Sequence, residues 1–593
     1  MVIKMNITRK FRIQCTDPSA KITIVPLAAE DGIDLYRISV TLSKKMTPPK
    51  ITIAWEEDMV NHLHVWTPLC GTHHLMHQWF GPTRSDSRFH FGAPLLATIG
   101  DCGRNRFTVA LSDPLPPTAL TFAIKDLDQQ NKVGYTAVLF SNTYDALESY
   151  ETLLRIDTRP LPFCETVQQV YPWWKSLGWE IPTPPAAAED ALYSSWYNFH
   201  QAPHQDKLLE DLKIAAELGF KTVILDDGWQ FPGPSSGDYA LCGEWQMSED
   251  KFPDFKQFCD DVHALGMKLM VWFAVPFVGV HSPLFETWRD KMIFIDYAHD
   301  NFGMNTGTLD PRYPEVRAFI ISNYKRFLID YDIDGFKFDF IDSFAHWDPP
   351  AYNPDGMDIE TTGEATRCLL TEIEAELSAI KPELLYEYRQ NYIGPAINRF
   401  GNMLRVGDCA YEALANRIGI VDLRLLGYPV AVHADMLFWA PEESIRMCAR
   451  QLLNILFGVP QISVILADST EEQKALLRAY LSYWTENRDV ILHGTFRADS
   501  PEQGYTRITA ETDDRVITVL HGTLPYVWDG RTCDIHHNGD EDGILFENPG
   551  DDTLTAEISY LFGKTVIETV TAAPHSITRL PVPQTAMAHI TKA

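Results

Sequence analysis

The chain has 593 residues, 45% of them hydrophobic, and a formal charge of −30. That length exceeds what a single core supports and points to several globular domains. A surface this acidic repels phosphate backbones and anionic lipid, which argues against nucleic-acid and membrane partners.

No apolar run reaches the length of a membrane span, and the opening MVIKMNITRKFRIQ lacks the apolar core of a secretory signal. The ten cysteines are scattered, with no CxxC and no Cys/His cluster at zinc spacing. They read as reduced thiols in a cytoplasmic protein.

Residues 1–180 carry short β-rich runs divided by Pro, Gly and Asp: KITIVPL, DLYRISVTL, KITIAWEE, RFTVALS, ALTFAIKDL and GYTAVLFS. That spacing predicts an N-terminal β-sandwich. One segment, NHLHVWTPLCGTHH, gathers His62, His64, Trp66, His73 and His74. Its spacing fits no simple metal motif, so polar packing or contact with the next domain is the expectation.

IPTPPAAA (181–188) reads as a linker. Beyond it, short apolar strands alternate with helical patterns. Strands are predicted at 192–199, 221–229, 267–276, 333–342, 383–391, 402–409, 429–439 and 459–466. Helices are predicted over HQDKLLEDLKIAAELG, PDFKQFCDDVHALG, PEVRAFIISNYKRFLIDYDI and TGEATRCLLTEIEAELSAIKP, among others. Eight such units over residues 181–490 match the size of a (β/α)₈ barrel. A doubly wound sheet is disfavoured, because no GxGxxG follows the first strand. Residues 491–593 return to β texture and predict a small C-terminal all-β domain, again a β-sandwich.

In a barrel, active residues sit at the C-terminal ends of strands. IDGFKFDFID (333–342) sets Phe336, Phe338 and Phe340 on one face and Lys337 and Asp339 on the other. Charges on a buried strand need partners. The other strand ends supply Trp196; Asp226, Asp227 and Trp229; Trp272; Glu387 and Arg389; Arg405 and Asp408; and His433 and Asp435. Carboxylates and aromatic rings thus converge on one mouth. Aromatic faces stack on sugar C–H faces and carboxylates accept hydrogen bonds from hydroxyls. A retaining glycosidase needs one ionised carboxylate and a second that serves as acid and then base. Taken singly, these residues could equally be turn formers, rim ion pairs or barrel filling.

LDDGWQ (225–230), GFKFDF (335–340) and LRVGDC (404–409) together resemble the motifs of the α-galactosidase clan, glycoside hydrolase families 27 and 36. The domain order matches family 36. The resemblance implies that Asp339 is the nucleophile and Asp408 the general acid/base. It implies that Asp226 and Asp227 hold the 4- and 6-hydroxyls of a terminal galactose, and that Lys337 and Arg405 bind hydroxyls and flank the carboxylates. Trp196, Trp272, Glu387, Arg389 and His433 complete the expected substrate-binding set. It implies no metal and no organic cofactor. Lys337 is expected to keep Asp339 ionised, and Asp408 to have a raised pKa.

The expected activity is retaining hydrolysis of terminal α-galactosyl units of oligosaccharides. Alternatives are an α-galactosyl transferase resembling raffinose synthase, an α-N-acetylgalactosaminidase, and a metal-dependent sugar isomerase hinted at only by His433 and Asp435. The fifth strand, LYEYRQNY (385–392), is unlike the Cys- and Gly-rich segment of bacterial family-36 enzymes. Arg389 there is expected either to pair with Glu387 or Asp339 and order the site, or to recognise an N-acetyl or carboxylate group on the sugar. The sequence leaves open whether the chain is a homo-oligomer.

Overall fold

The computed structural model describes the whole chain except residues 1–8, 28–31, 70, 72–82, 126–130, 231–238, 298–303, 347–348, 390, 542 and 561–564. His73 and His74 of the histidine-rich segment fall outside the described residues. His62 stacks on Phe107 with ring centroids 5.5 Å apart, and burial lowers its pKa to about 4.

Two six-stranded antiparallel sheets form the N-terminal sandwich. Their facing residues, among them Ile38, Val40, Ile53, Trp55, Phe122 and Tyr135, make one apolar core. Strand Leu147–Asp157 (LESYETLLRID) belongs to it, although its exposed half carries charges that hide the β signal. Two helices, Phe163–Gln168 and Val170–Ser176, follow where the sequence reading expected more sheet. Their buried residues Phe163, Val167, Val170 and Trp174 join the barrel's core cluster, so packing against the next domain decides their conformation.

The centre is an eight-stranded parallel barrel: β1 (Leu192–Ser194), β2 (Thr222–Leu225), β3 (Lys268–Ala274), β4 (Gly335–Asp339), β5 (Leu385–Arg389), β6 (Met403–Arg405), β7 (Ala431–His433) and β8 (Gln461–Ile462). The order runs β7-β6-β5-β4-β3-β2-β1-β8, and a parallel bridge between His433 and Val459 closes the ring. Each strand lies within its predicted segment. Helices α1 (Gln205–Leu218), α2 (Phe255–Ala264), α3 (Pro314–Tyr331), α4 (Thr362–Ser378), α5 (Ala413–Leu425), α6 (Ile445–Asn454) and α7 (Glu471–Glu486) surround it. Among the described residues no helix separates β5 from β6.

β4 shows how the barrel sorts its side chains. Phe336 and Phe338 point outward and meet Tyr324 of α3, at centroid distances of 5.3 and 4.8 Å. Period-two alternation then directs Lys337 and Asp339 inward. The C-terminal part follows as a seven-stranded and a three-stranded sheet around a core of its own.

The three parts meet at Asp422 on α5. Trp66 of the N-terminal sandwich donates its indole N–H to Oδ1 at 2.8 Å, and Tyr505 of the C-terminal part donates its hydroxyl to the same oxygen at 2.6 Å. Asp422 is fully buried, and burial lifts its pKa to about 7.

Candidate active site

Asp339 ends β4 at the barrel mouth. Three donors converge on its carboxylate. The Trp272 indole donates to Oδ2 at 3.1 Å, the Phe340 amide donates to Oδ1 at 2.8 Å, and Arg389 Nε lies 2.9 Å from Oδ1. Phe340 sits at φ +60°, a left-handed conformation uncommon for a bulky residue. Its ring is fixed between Phe277 and the Arg389 guanidinium, at 4.7 and 5.0 Å. That packing supports the turn that presents Asp339.

Arg389 is itself held. Its Nη2 lies 3.3 Å from Asp342, and Tyr392 donates its hydroxyl to the same Asp342 oxygen at 3.1 Å. Asp342 lies inside IDGFKFDFID, yet the strand reading gave it no role, because its partner comes from the loop after β5.

Lys337 and Asp339 attract each other through space without an ion-pair contact. The Lys337 ammonium contacts Asp226 at 2.6 Å, not Asp339. The lysine and Asp226 are almost fully buried, so each supplies the counter-charge the other needs. Asp226 follows β2, which only β3 separates from β4. Asp227 accepts from Gln230 Nε2 at 2.7 Å and from Gln201 Nε2. Burial raises the Asp227 pKa to about 7. Gly228 follows at φ +107°, where a Cβ would lie 2.3 Å from the Gln201 Cα, so only glycine lets the two loops close.

Arg405 is the electrostatic centre of the opposite wall. Its guanidinium is 1% exposed and faces three carboxylates: Asp435 at 2.6 Å, Asp408 at 2.9 Å and Glu387 at 3.4 Å. Asp435 also accepts from Tyr197 at 2.9 Å and from the Cys409 amide at 2.7 Å. Asp408 differs from the other two in that its side chain is 57% exposed. The expected raised pKa is not found. The charge of Arg405, with those of Lys337 and Arg389 behind it, holds the Asp408 carboxyl below its ordinary value.

Two expected rim residues, His433 and Glu387, are as deeply buried as Asp226 and Asp227. His433 is wholly buried: Nε2 donates to Ala188 O at 2.7 Å, and Nδ1 lies 3.1 Å from Gln461 Nε2. Burial lowers its pKa to about 4, so it is neutral and its nitrogens are occupied. Glu387 accepts from the same Gln461 amide, is 1% exposed, and has its pKa raised by burial. Trp229 is also buried, its indole donating to Trp272 O at 3.0 Å. Trp196 is not on a strand: β1 stops at Ser194 and Trp196 opens a one-turn helix, Trp196–Phe199, half-buried beside His200. Among the described residues no group of three or more His, Cys, Asp or Glu is placed to hold a metal ion.

Residues 188–494, over half of the chain, match the Melibiase family model. The chain belongs to the Melibiase family. It is similar to alpha-galactosidase AgaA of Geobacillus stearothermophilus, 22% identical over 321 residues, which cover 53% of this chain and 43% of the relative. It is also similar to alpha-galactosidase Mel36A of Lactobacillus acidophilus, 28% identical over 149 residues, 25% of this chain and 20% of the relative. These alignments thus span a fifth to two fifths of the curated relatives. In fold, it is similar to the GH36 alpha-galactosidase AgaB of Geobacillus stearothermophilus, with a TM-score of 0.67 at 15% identity, over 99% of this chain and 86% of that one. This Melibiase-family chain therefore shares with that structure the sandwich, barrel and C-terminal β order. Asp226, Asp227, Asp339 and Asp408 all lie within the segment matched to the family.

Proposed function

We propose that this Melibiase-family protein is a retaining α-galactosidase that removes terminal α-galactosyl units from oligosaccharides. The observation that carries the reading is that two carboxylates, Asp339 at the end of β4 and Asp408 just beyond β6, both feel the charge of Arg389. This arginine contacts Asp339 at 2.9 Å, and its charge also acts on Asp408. The fold and the family's α-galactosidases support it.

In this reading a carboxylate oxygen of Asp339 attacks the anomeric carbon, and the C–O bond to the aglycone breaks with its electron pair moving onto the leaving oxygen. Asp408 gives that oxygen a proton. The resulting glycosyl ester is then opened by water, whose proton returns to Asp408. Arg405 holds Asp408 low while solvent reaches it. A sugar ring that covers the exposed carboxyl removes that solvent and raises its proton affinity. Asp226 and Asp227 form a paired acceptor corner beside the nucleophile, suited to the adjacent 4- and 6-hydroxyls of galactose.

The Nε and Nη2 of Arg389 are committed to Asp339, Tyr392 and Asp342. That commitment favours the ordering role for this residue over recognition of an N-acetyl or carboxylate group. We assign catalysis to residues 181–490, a division supported by the span of the eight barrel strands. No helix among the described residues is long and apolar enough to cross a membrane. The nine described cysteines are all free, which supports a cytoplasmic location.

The test is Asp339→Ala assayed on nitrophenyl α-galactoside. Loss of a covalent catalyst is expected to cost well over about a hundredfold. Residual activity above about a hundredth of wild type would remove Asp339 from the nucleophile role.

A further inference from the structure

Behind Asp227 lies a buried lysine that the reaction scheme above does not use. Lys251 is 1% exposed. Its ammonium donates to the backbone carbonyls of Gln201, at 2.7 Å, and Gly228, at 2.6 Å. Among the described residues no carboxylate lies within ion-pair distance of it. Burying an ammonium on carbonyls alone is costly, and a tie between two loops could be made more cheaply by a neutral amide.

What the two carbonyls have in common is Asp227. Gln201 sends its side-chain amide to Asp227 Oδ2, and Gly228 is the next residue in the chain. Lys251 is anchored in turn: its carbonyl accepts from the Gln205 amide at 2.9 Å, in the first turn of α1, and its amide donates to Ser248 O at 3.1 Å. It therefore joins the loop after β1 to the loop after β2 at the point where both reach Asp227. Burial lowers its pKa to about 8, while the charge of Asp227 opposes that fall, so the two groups feel each other across the clamp.

We propose that Lys251 is a positioning residue of the glycone corner, clamping Gln201 and Gly228 so that the Asp227 carboxylate is aimed at a galactose hydroxyl. The proposal rests on the reading of Asp227 as a sugar ligand. It assigns Lys251 no contact with substrate.

A double-mutant cycle on nitrophenyl α-galactoside, with galactose as a competitive inhibitor, tests it. Asp227→Ala alone is expected to lower kcat/KM between roughly tenfold and a hundredfold, the worth of a hydrogen bond to a charged group. Lys251→Met is expected to lower kcat/KM within the same range and to raise the galactose inhibition constant in parallel. In the Asp227→Ala background Lys251→Met should change either value by less than about twofold. Lys251→Arg, which keeps a cation against the carbonyls, should recover part of the loss. If Lys251→Met does not fold, the same cycle run with Lys251→Arg carries the test, its smaller loss again vanishing in the Asp227→Ala background.

Equal losses from Lys251 substitution with and without Asp227 would overturn the proposal, as would a wild-type galactose inhibition constant in the single variant. A failure of the glycone reading itself shows separately, as wild-type kcat/KM in Asp227→Ala before Lys251 is altered.

Discussion

Replacing Asp422 by Asn should remove a pH-dependent weakness at the junction of the three parts of the chain. The carboxyl is fully buried, and both of its donors, Trp66 and Tyr505, address Oδ1, leaving Oδ2 without a hydrogen-bond partner. Its pKa rises from the ordinary 3.8 to about 7 because burial outweighs the two hydrogen bonds. The folded state therefore binds this proton more tightly than the unfolded one. The associated stability is fully present below about pH 4 and is lost as pH rises through about 7. At about 1.4 kcal/mol per pH unit, the interval amounts to about 4 kcal/mol. Asparagine keeps the acceptor oxygen for Trp66 and Tyr505 and carries no charge at any of these pH values. Calorimetric melting of wild type and Asp422→Asn at several pH values and one scan rate separates the two. The variant is expected to gain on wild type steadily from pH 5 to about pH 7 and to hold that advantage at pH 8, reaching several degrees in the transition that opens the junction. Parallel melting curves across that range would refute the linkage, and with it the placement of a titrating carboxyl between the three parts.

Trp272→Phe keeps an aromatic ring and deletes one of three donors to Asp339; kcat/KM on α-galactosides should fall about tenfold or more, with a lowered Tm from the smaller buried side chain, and wild-type kinetics would show the indole hydrogen bond to be unimportant. Arg389→Gln should slow nitrophenyl galactosides and N-acetylgalactosaminides by a common factor, because its contacts order Asp339, Asp342 and Tyr392; a selective loss on the N-acetyl sugar would restore the recognition role. For wild type, the alkaline limb of kcat is expected at higher pH than that of kcat/KM, since Arg405 holds Asp408 low in the free enzyme and bound sugar removes its solvent; coincident limbs would exclude Asp408 as that acid. Asp408→Ala should lose most on substrates with poor leaving groups, and added azide should open the β-linked galactosyl ester to give an α-galactosyl azide, whose absence from the products counts against the acid/base assignment.

The sequence by itself determined the sandwich–barrel–β order and the position of each barrel strand. Short, nearly continuous apolar runs bounded by Pro, Gly and Asp are local signals, and a parallel strand buried on both faces cannot be written without them. It also placed Asp226, Asp227, Asp339 and Asp408 beyond or at strand ends, because the end of a strand is a position along the chain. Which cation serves which carboxylate was decided only by the closed barrel. Lys337 and Asp339 are two residues apart and share a face, so neighbourhood along the strand suggested a pair. Barrel curvature instead carries the Lys337 ammonium across to Asp226, and brings Arg389 from β5 to Asp339. Depth was equally hidden: period two fixes which face His433 and Glu387 occupy, and strand tilt fixes whether that face is mouth or filling. Helices 163–168 and 170–176, Asp342 behind Arg389 and Lys251 behind Asp227 have one thing in common. Their partners come from elements far away in the chain, and no local pattern of residues encodes a distance that only packing creates.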